Sequence, residues 1–62
     1  MSAHAELSSA SSLLDDLVAR ISAIAAALDA TDREALGGEL AEVERHLGNA
    51  RRRLTRLVEA TA

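Results

Sequence analysis

Apolar residues recur in the first half of the chain at Leu7, Ala10, Leu14, Leu17, Ile21, Ile24 and Leu28. In the second half they recur at Leu36, Leu40, Val43, Leu47, Ala50, Leu54 and Leu57. The steps alternate between three and four residues throughout, the spacing with which a helix keeps one stripe turned toward a neighbouring helix. Two long amphipathic helices are therefore predicted, at about 4–29 and about 32–60, with a turn at about 29–32. Ser8, Ser9, Ser11 and Ser12 all suit a helix start, but Leu7 carries the stripe upstream of them and places the first helix's beginning nearer the N-terminus.

The step from Leu28 to Leu36 is eight residues, so one unbroken helix would throw the two stripes out of phase. A turn through Asp29, Ala30, Thr31 and Asp32 instead folds the chain into an antiparallel hairpin. Thr31 followed by Glu34 matches a capping box, in which the hydroxyl accepts an orphan backbone N–H and the carboxylate reaches back to the cap. Pairing 28 with 36, 24 with 40 and so on to 7 with 57 makes every layer apolar on both sides, with Ala10 and Ala50 each opposite a leucine. The Gly37–Gly38 pair weakens this reading locally, because each glycine in a helix interior costs about 1 kcal/mol relative to Ala. Leu36 keeps the stripe in register there, which favours a continuous second helix over one broken at Gly37. Gly37 also falls across from Ala25, where two small residues let backbones approach closely. Gly48 falls on the outer face, where nothing in the pattern calls for a glycine. The fold class expected is all-α: residues 1–62 as a single two-helix hairpin.

Composition strengthens the helical assignment. Hydrophobic residues make up 48% of the 62, yet there is no aromatic residue, no proline and no cysteine. Alanine and leucine, which dominate, are among the best helix formers, while strand-favouring β-branched and aromatic residues are scarce. The absence of cysteine excludes disulfides, thiol catalysis and thiolate metal sites. Ten acidic residues against seven basic ones leave a net charge of −3, so nothing draws the whole molecule to nucleic acid or an anionic membrane. The most apolar run, Ile21 to Leu28, is far short of the ~20 residues of a transmembrane helix. The N-terminus lacks the basic flank and long apolar stretch of a secretory signal, so the cytoplasm is the expected location.

A hairpin this small rarely stands alone without disulfides, metal or a partner. The first helix has an apolar face widened by Leu13, Val18 and Ala25, and the second adds Val58; these four are the expected partner interface. The simplest partner is a second copy, making a four-helix bundle. The second helix also segregates charge, with Glu34, Glu39, Glu42 and Glu44 before Arg45, Arg51, Arg52, Arg53 and Arg56. An antiparallel copy of that helix would bring acids against arginines, although the same order also suits the helix dipole.

Candidate chemistry is sparse. Arg45, Arg52 and Arg56 could meet phosphates, but no aromatic residue is present to stack on bases, and three consecutive arginines on a helix diverge by ~100° each. Asp15 and Asp16 lie close enough to neutralise part of that charge. His4 falls in a terminus expected to fray. His46 follows Glu42 by one turn, but the Glu-x-x-His spacing of di-metal bundles is missing, so no metal or cofactor is expected. Adjacent Asp15 and Asp16 diverge on a helix and make no acid–base pair. The bundle enzymes that this shape could resemble, the helical chorismate mutases, need Arg and Lys pointing inward, and the expected core is wholly apolar.

In length and topology the chain resembles Rop-type RNA-binding hairpins, whose basic RNA face on the first helix is represented here by Arg20 alone. It resembles WXG-type secreted hairpins in shape, without their length or Trp-x-Gly turn. These likenesses are architectural and assign no family. The sequence supports a non-enzymatic structural or adaptor protein, most simply a homodimer. An accessory subunit docking its first helix on a larger enzyme or scaffold protein is the alternative, and a weak arginine-mediated nucleic-acid binder a further one.

Overall fold

A computed structural model describes residues 2–31 and 33–62. It contains two helices of 27 residues each, α1 (Ala3–Asp29) and α2 (Glu34–Ala60), packed along their lengths as an antiparallel hairpin measuring 46 × 16 × 11 Å. No strand occurs among the described residues. The all-α hairpin expected from the stripes is the observed architecture. α2 runs through Gly37–Gly38 unbroken.

Each end of the hairpin has an identifiable local cause. Ser2 caps α1, its hydroxyl accepting the Ala5 N–H at 3.1 Å, which satisfies one of the orphan donors of the first turn. Glu6, within that first turn, suits the positive end of the helix dipole. At the other end Thr31 works differently from the expected capping box. Its hydroxyl donates to the Leu28 carbonyl at 2.7 Å and accepts the Arg33 N–H at 3.0 Å. One hydroxyl thus closes α1 and turns the chain toward α2, and α2 starts at Glu34 with Arg33 at its cap. Arg33 makes no side-chain capping bond, as expected of a side chain with donors only. The last residue of the expected turn, Asp32, lies outside the described residues.

The two helices touch along a strip one position away from the expected stripe on alternate layers. On α1 the residues with reduced exposure are His4, Leu7, Ser11, Leu14, Val18, Ile21, Ala25 and Leu28; on α2 they are Gly37, Leu40, Glu44, Leu47, Gly48, Arg51, Leu54 and Val58. Half of the expected stripe is retained, and the other half rotates outward. Val18, Ala25 and Val58, expected to meet an external partner, face inward instead. Leu17, Ile24, Leu36, Val43 and Leu57, expected in the hairpin core, are exposed. The register also slips by about two residues, since Ala25 is level with Gly37 and His4 with Val58.

Gly37 explains the shift. A Cβ built there would lie 3.4 Å from the Ala25 carbonyl oxygen and would run into the Asp29 carboxylate. Gly37 has no positive φ. Its use is therefore spatial, admitting α1 at the closest approach of the backbones. Ala25 and Gly37 are the only buried residues among those described, and no large side chain is fully buried. At Gly38, by contrast, an added Cβ would have nothing within 4 Å. Gly38→Ala should stabilise the protein by about 0.5–1 kcal/mol through helix propensity, or ~4–8 °C per kcal/mol at this size. Gly37→Ala should recover clearly less, because its Cβ must displace Asp29. Thermal melts followed by circular dichroism check this, and equal gains at the two sites would contradict the close approach.

Candidate interaction face

The residues turned outward converge on one side of the molecule. Successive residues of a helix rotate by ~100°. In an antiparallel pair this rotation has opposite sense when both helices are viewed from one end. Positions just before an inward residue therefore fall on the same face of the hairpin in both helices. On α1 these are Ala10, Leu17 and Ile24, preceding Ser11, Val18 and Ala25; on α2 they are Leu36, Val43, Ala50 and Leu57, preceding Gly37, Glu44, Arg51 and Val58. Leu13, preceding Leu14, joins the same side. All the large exposed apolar residues among those described lie here: Leu13 is 68% exposed, Leu17 45%, Ile24 52%, Leu36 53%, Val43 45% and Leu57 53%.

The opposite face has a different character. Following the inward leucines and isoleucine there come Ser8, Asp15, Ser22 and Asp29 on α1, and Ala41, Gly48 and Thr55 on α2. Arg51 reaches Asp15 on this side at 3.6 Å, a partly exposed pair worth ~0–1 kcal/mol. Gly48, expected on the outer face, is half-buried. The hairpin is thus two-sided, polar or small on one face and apolar on the other.

The strip between the helices is itself only partly apolar. Its alternate layers carry His4, Ser11, Glu44 and Arg51, whereas the central rows of the open face carry only Ala, Leu, Ile and Val. Leu7, Leu14, Ile21, Leu28, Leu40, Leu47 and Leu54 lie between the two, each facing the partner helix and bordering the open face. The centre of each helix's apolar arc therefore points obliquely, away from the helix it touches and toward the open face.

The arginine candidates all lie on α2. Arg45, Arg52 and Arg56 fall along the outer side of α2, where Arg45 pairs with Glu42 and Arg52 donates to the Asn49 side-chain carbonyl. Arg51, Arg52, Arg53 and Arg56, with His46 and Asn49, line one open concavity along α2. The His46 ring donates from Nδ1 to the Glu42 carbonyl at 2.8 Å, its own helix one turn back. Among the described residues no group of three or more His, Asp or Glu is placed to hold a metal ion. No described helix is long and apolar enough to cross a membrane.

His4 departs from expectation. It is half-buried and ties the start of α1 to the end of α2, its Nδ1 lying 3.1 Å from the Val58 carbonyl and 3.2 Å from the Thr61 hydroxyl. Nδ1–H can donate in the corresponding neutral tautomer and in the imidazolium alike. The single Thr61 hydroxyl hydrogen is shared between the Leu57 and Val58 carbonyls, each at 3.0 Å, so the last turn of α2 is closed by its C-cap side chain and by His4 of α1. A lone histidine near a chain terminus gives no sequence signal for such a bond; only the register reveals it.

No protein-family model matches the chain, and neither a curated protein nor a solved structure matches it. The functional reading therefore rests on the geometry above. His4→Ala should remove about 0.5–1.5 kcal/mol and accelerate amide exchange in the last turn of α2 and the first of α1. Unchanged exchange at both ends would contradict the cross-helix link.

Proposed function

We propose that this chain is a non-enzymatic helix-association module, a small structural or adaptor protein whose working form is a homodimeric four-helix bundle. The observation that carries this reading is the continuous apolar face shared by both helices, opposite a polar one. Soluble proteins seldom leave such a patch to water. Among the described residues no large side chain is fully buried, and a chain of this size needs further burial or a staple to hold its shape.

The dimensions fit a second copy. A face of 46 by 16 Å offers roughly 700 Å². Two such faces together cover about 1,400–1,500 Å², within the ~1,200–2,000 Å² of stable specific interfaces. Stacking two faces gives each helix two neighbours, and an apolar arc pointing obliquely between them is the arrangement a bundle requires.

The competing occupant is a larger enzyme or scaffold receiving α1 alone. It accounts for Leu13, Leu17 and Ile24 but leaves Leu36, Val43 and Leu57 on α2 exposed beside the docked surface. A second copy covers both helices. The arginine-based nucleic-acid reading has less support again, because Arg45 and Arg52 are engaged with neighbours on their own helix.

Molar mass by light scattering with refractive-index detection, over a hundredfold range of concentration, tests the reading. The expected mass is two chains. Leu17→Glu with Val43→Glu should convert the dimer to single chains, since each replacement puts a charge in the middle of the covered face. A single-chain mass for the unmodified protein across the range would overturn the proposal.

A further inference from the structure

The outer side of α2 gathers three arginines that no carboxylate neutralises. Asn49, Arg52, Arg53 and Arg56 stand at i, i+3, i+4 and i+7, the spacing that places residues together on one side of a helix. All four are exposed, and they lie away from α1, which α2 meets here through Leu47, Leu54 and Val58. Consecutive arginines diverge on a helix, but it is Arg51 alone that leaves the group. Arg51 turns to the polar face, where its Nε lies 3.6 Å from Asp15. The remaining patch occupies about 10 Å of helix, at ~1.5 Å per residue.

Arg52 donates to the Asn49 side-chain carbonyl. That acceptor is neutral, so it orients the guanidinium without cancelling its charge, and the Asn49 NH2 stays free to donate. Among the described residues no carboxylate lies within ion-pair distance of Arg52, Arg53 or Arg56. No Asp or Glu lines the concavity between these side chains. Like charges one turn apart on a helix destabilise it, and Arg52–Arg56 and Arg53–Arg56 are both such pairs. The chain has ten acidic residues, yet the positions one turn before Arg52 and Arg53 are Gly48, Asn49 and Ala50. An anion held among the three arginines relieves their repulsion, which links its binding to the stability of α2.

We infer that Asn49, Arg52, Arg53 and Arg56 form a binding site for a compact polyanion of linked phosphates. Guanidinium groups donate to phosphate oxygens in parallel pairs, and three of them beside an amide offer more donors than a single phosphate takes up. The patch is too short to track a nucleic-acid strand. Toward the turn Arg45 is engaged by Glu42, and beyond Arg56 the next charged residue is Glu59. No aromatic residue is present to stack on a base, so the site reads phosphate and not nucleoside. It ends a turn short of Ala60, where the unfavourable pull of the helix's negative end has fallen off. The apolar face follows Leu36, Val43, Ala50 and Leu57 along another side of α2, so a second copy seated there leaves the site open. The inference stands apart from the dimer reading.

The test titrates sodium triphosphate into the full-length protein at low ionic strength, followed by backbone and arginine Nε–H chemical shifts. Saturable binding is expected, with the largest shifts between Asn49 and Arg56. Arg53→Gln and Arg56→Gln should each weaken it about fivefold or more, whereas Arg20→Gln, which removes one exposed charge from α1, should change it less than about twofold. Helicity by circular dichroism should be the same in all three, because each position is exposed. Adenosine triphosphate should bind no more tightly than triphosphate, since nothing holds its base. Shifts that never saturate, equal shifts with sodium chloride at matched ionic strength, or equal weakening by Arg20→Gln would overturn the site. Tighter binding of adenosine triphosphate, or of a single-stranded RNA oligonucleotide, than of triphosphate would overturn the phosphate-only ligand.

Discussion

Two antiparallel helices bury only the strip along which they touch, and an apolar arc wider than that strip must find another surface or face water. Here the strip is fixed by the smallest residues in the pair. Gly37 and Ala25 bring the backbones together, and this contact sets which side of each helix turns inward. Leu7, Leu14, Ile21 and Leu28 then border the strip from α1, and Leu40, Leu47 and Leu54 from α2. Leu17, Ile24, Leu36, Val43 and Leu57 are left on one open side. The distribution of charged residues follows the same division. Glu44 and Arg51 are half-buried in the strip, where long side chains can carry their charged ends outward. No charged residue occupies the central rows of the open face.

The helices, their antiparallel return and the continuity of α2 were legible in the sequence, because a strict three–four alternation suits little besides a pair of packed helices. The rotation of the helices was not. Leu17–Val18, Ile24–Ala25 and Leu57–Val58 are adjacent apolar pairs, so two stripes one position apart fit the spacing almost equally well. Counting apolar layers chooses the stripe without Glu44 and Arg51, which is sound for an isolated hairpin with a complete core. It misleads here, where the close approach of Gly37 and Ala25 sets the rotation of the helices. Steric fit was the better guide, and the match of Gly37 with Ala25 was visible in the sequence. The N-terminal links were hidden for another reason. Ser2 caps a helix whose first turn has no apolar residue larger than alanine to announce it, and the His4 bond depends on a residue 54 positions away.

Stability and association are therefore expected to be one process in this protein. The hairpin contributes helix propensity, side-chain closure of both ends and a thin, mixed strip of contact. The open face contributes the large apolar side chains. A chain built this way gains little from folding alone, and its helices become secure when the face is covered.

The most direct measurement is the midpoint of thermal unfolding by far-ultraviolet circular dichroism as a function of chain concentration. Coupled folding and association predicts a midpoint that rises steadily with concentration, because mass action favours the assembled, folded state. A midpoint independent of concentration over two orders of magnitude, with full helicity retained at the lowest, would show that the hairpin is stable with its apolar face in water and would contradict the account.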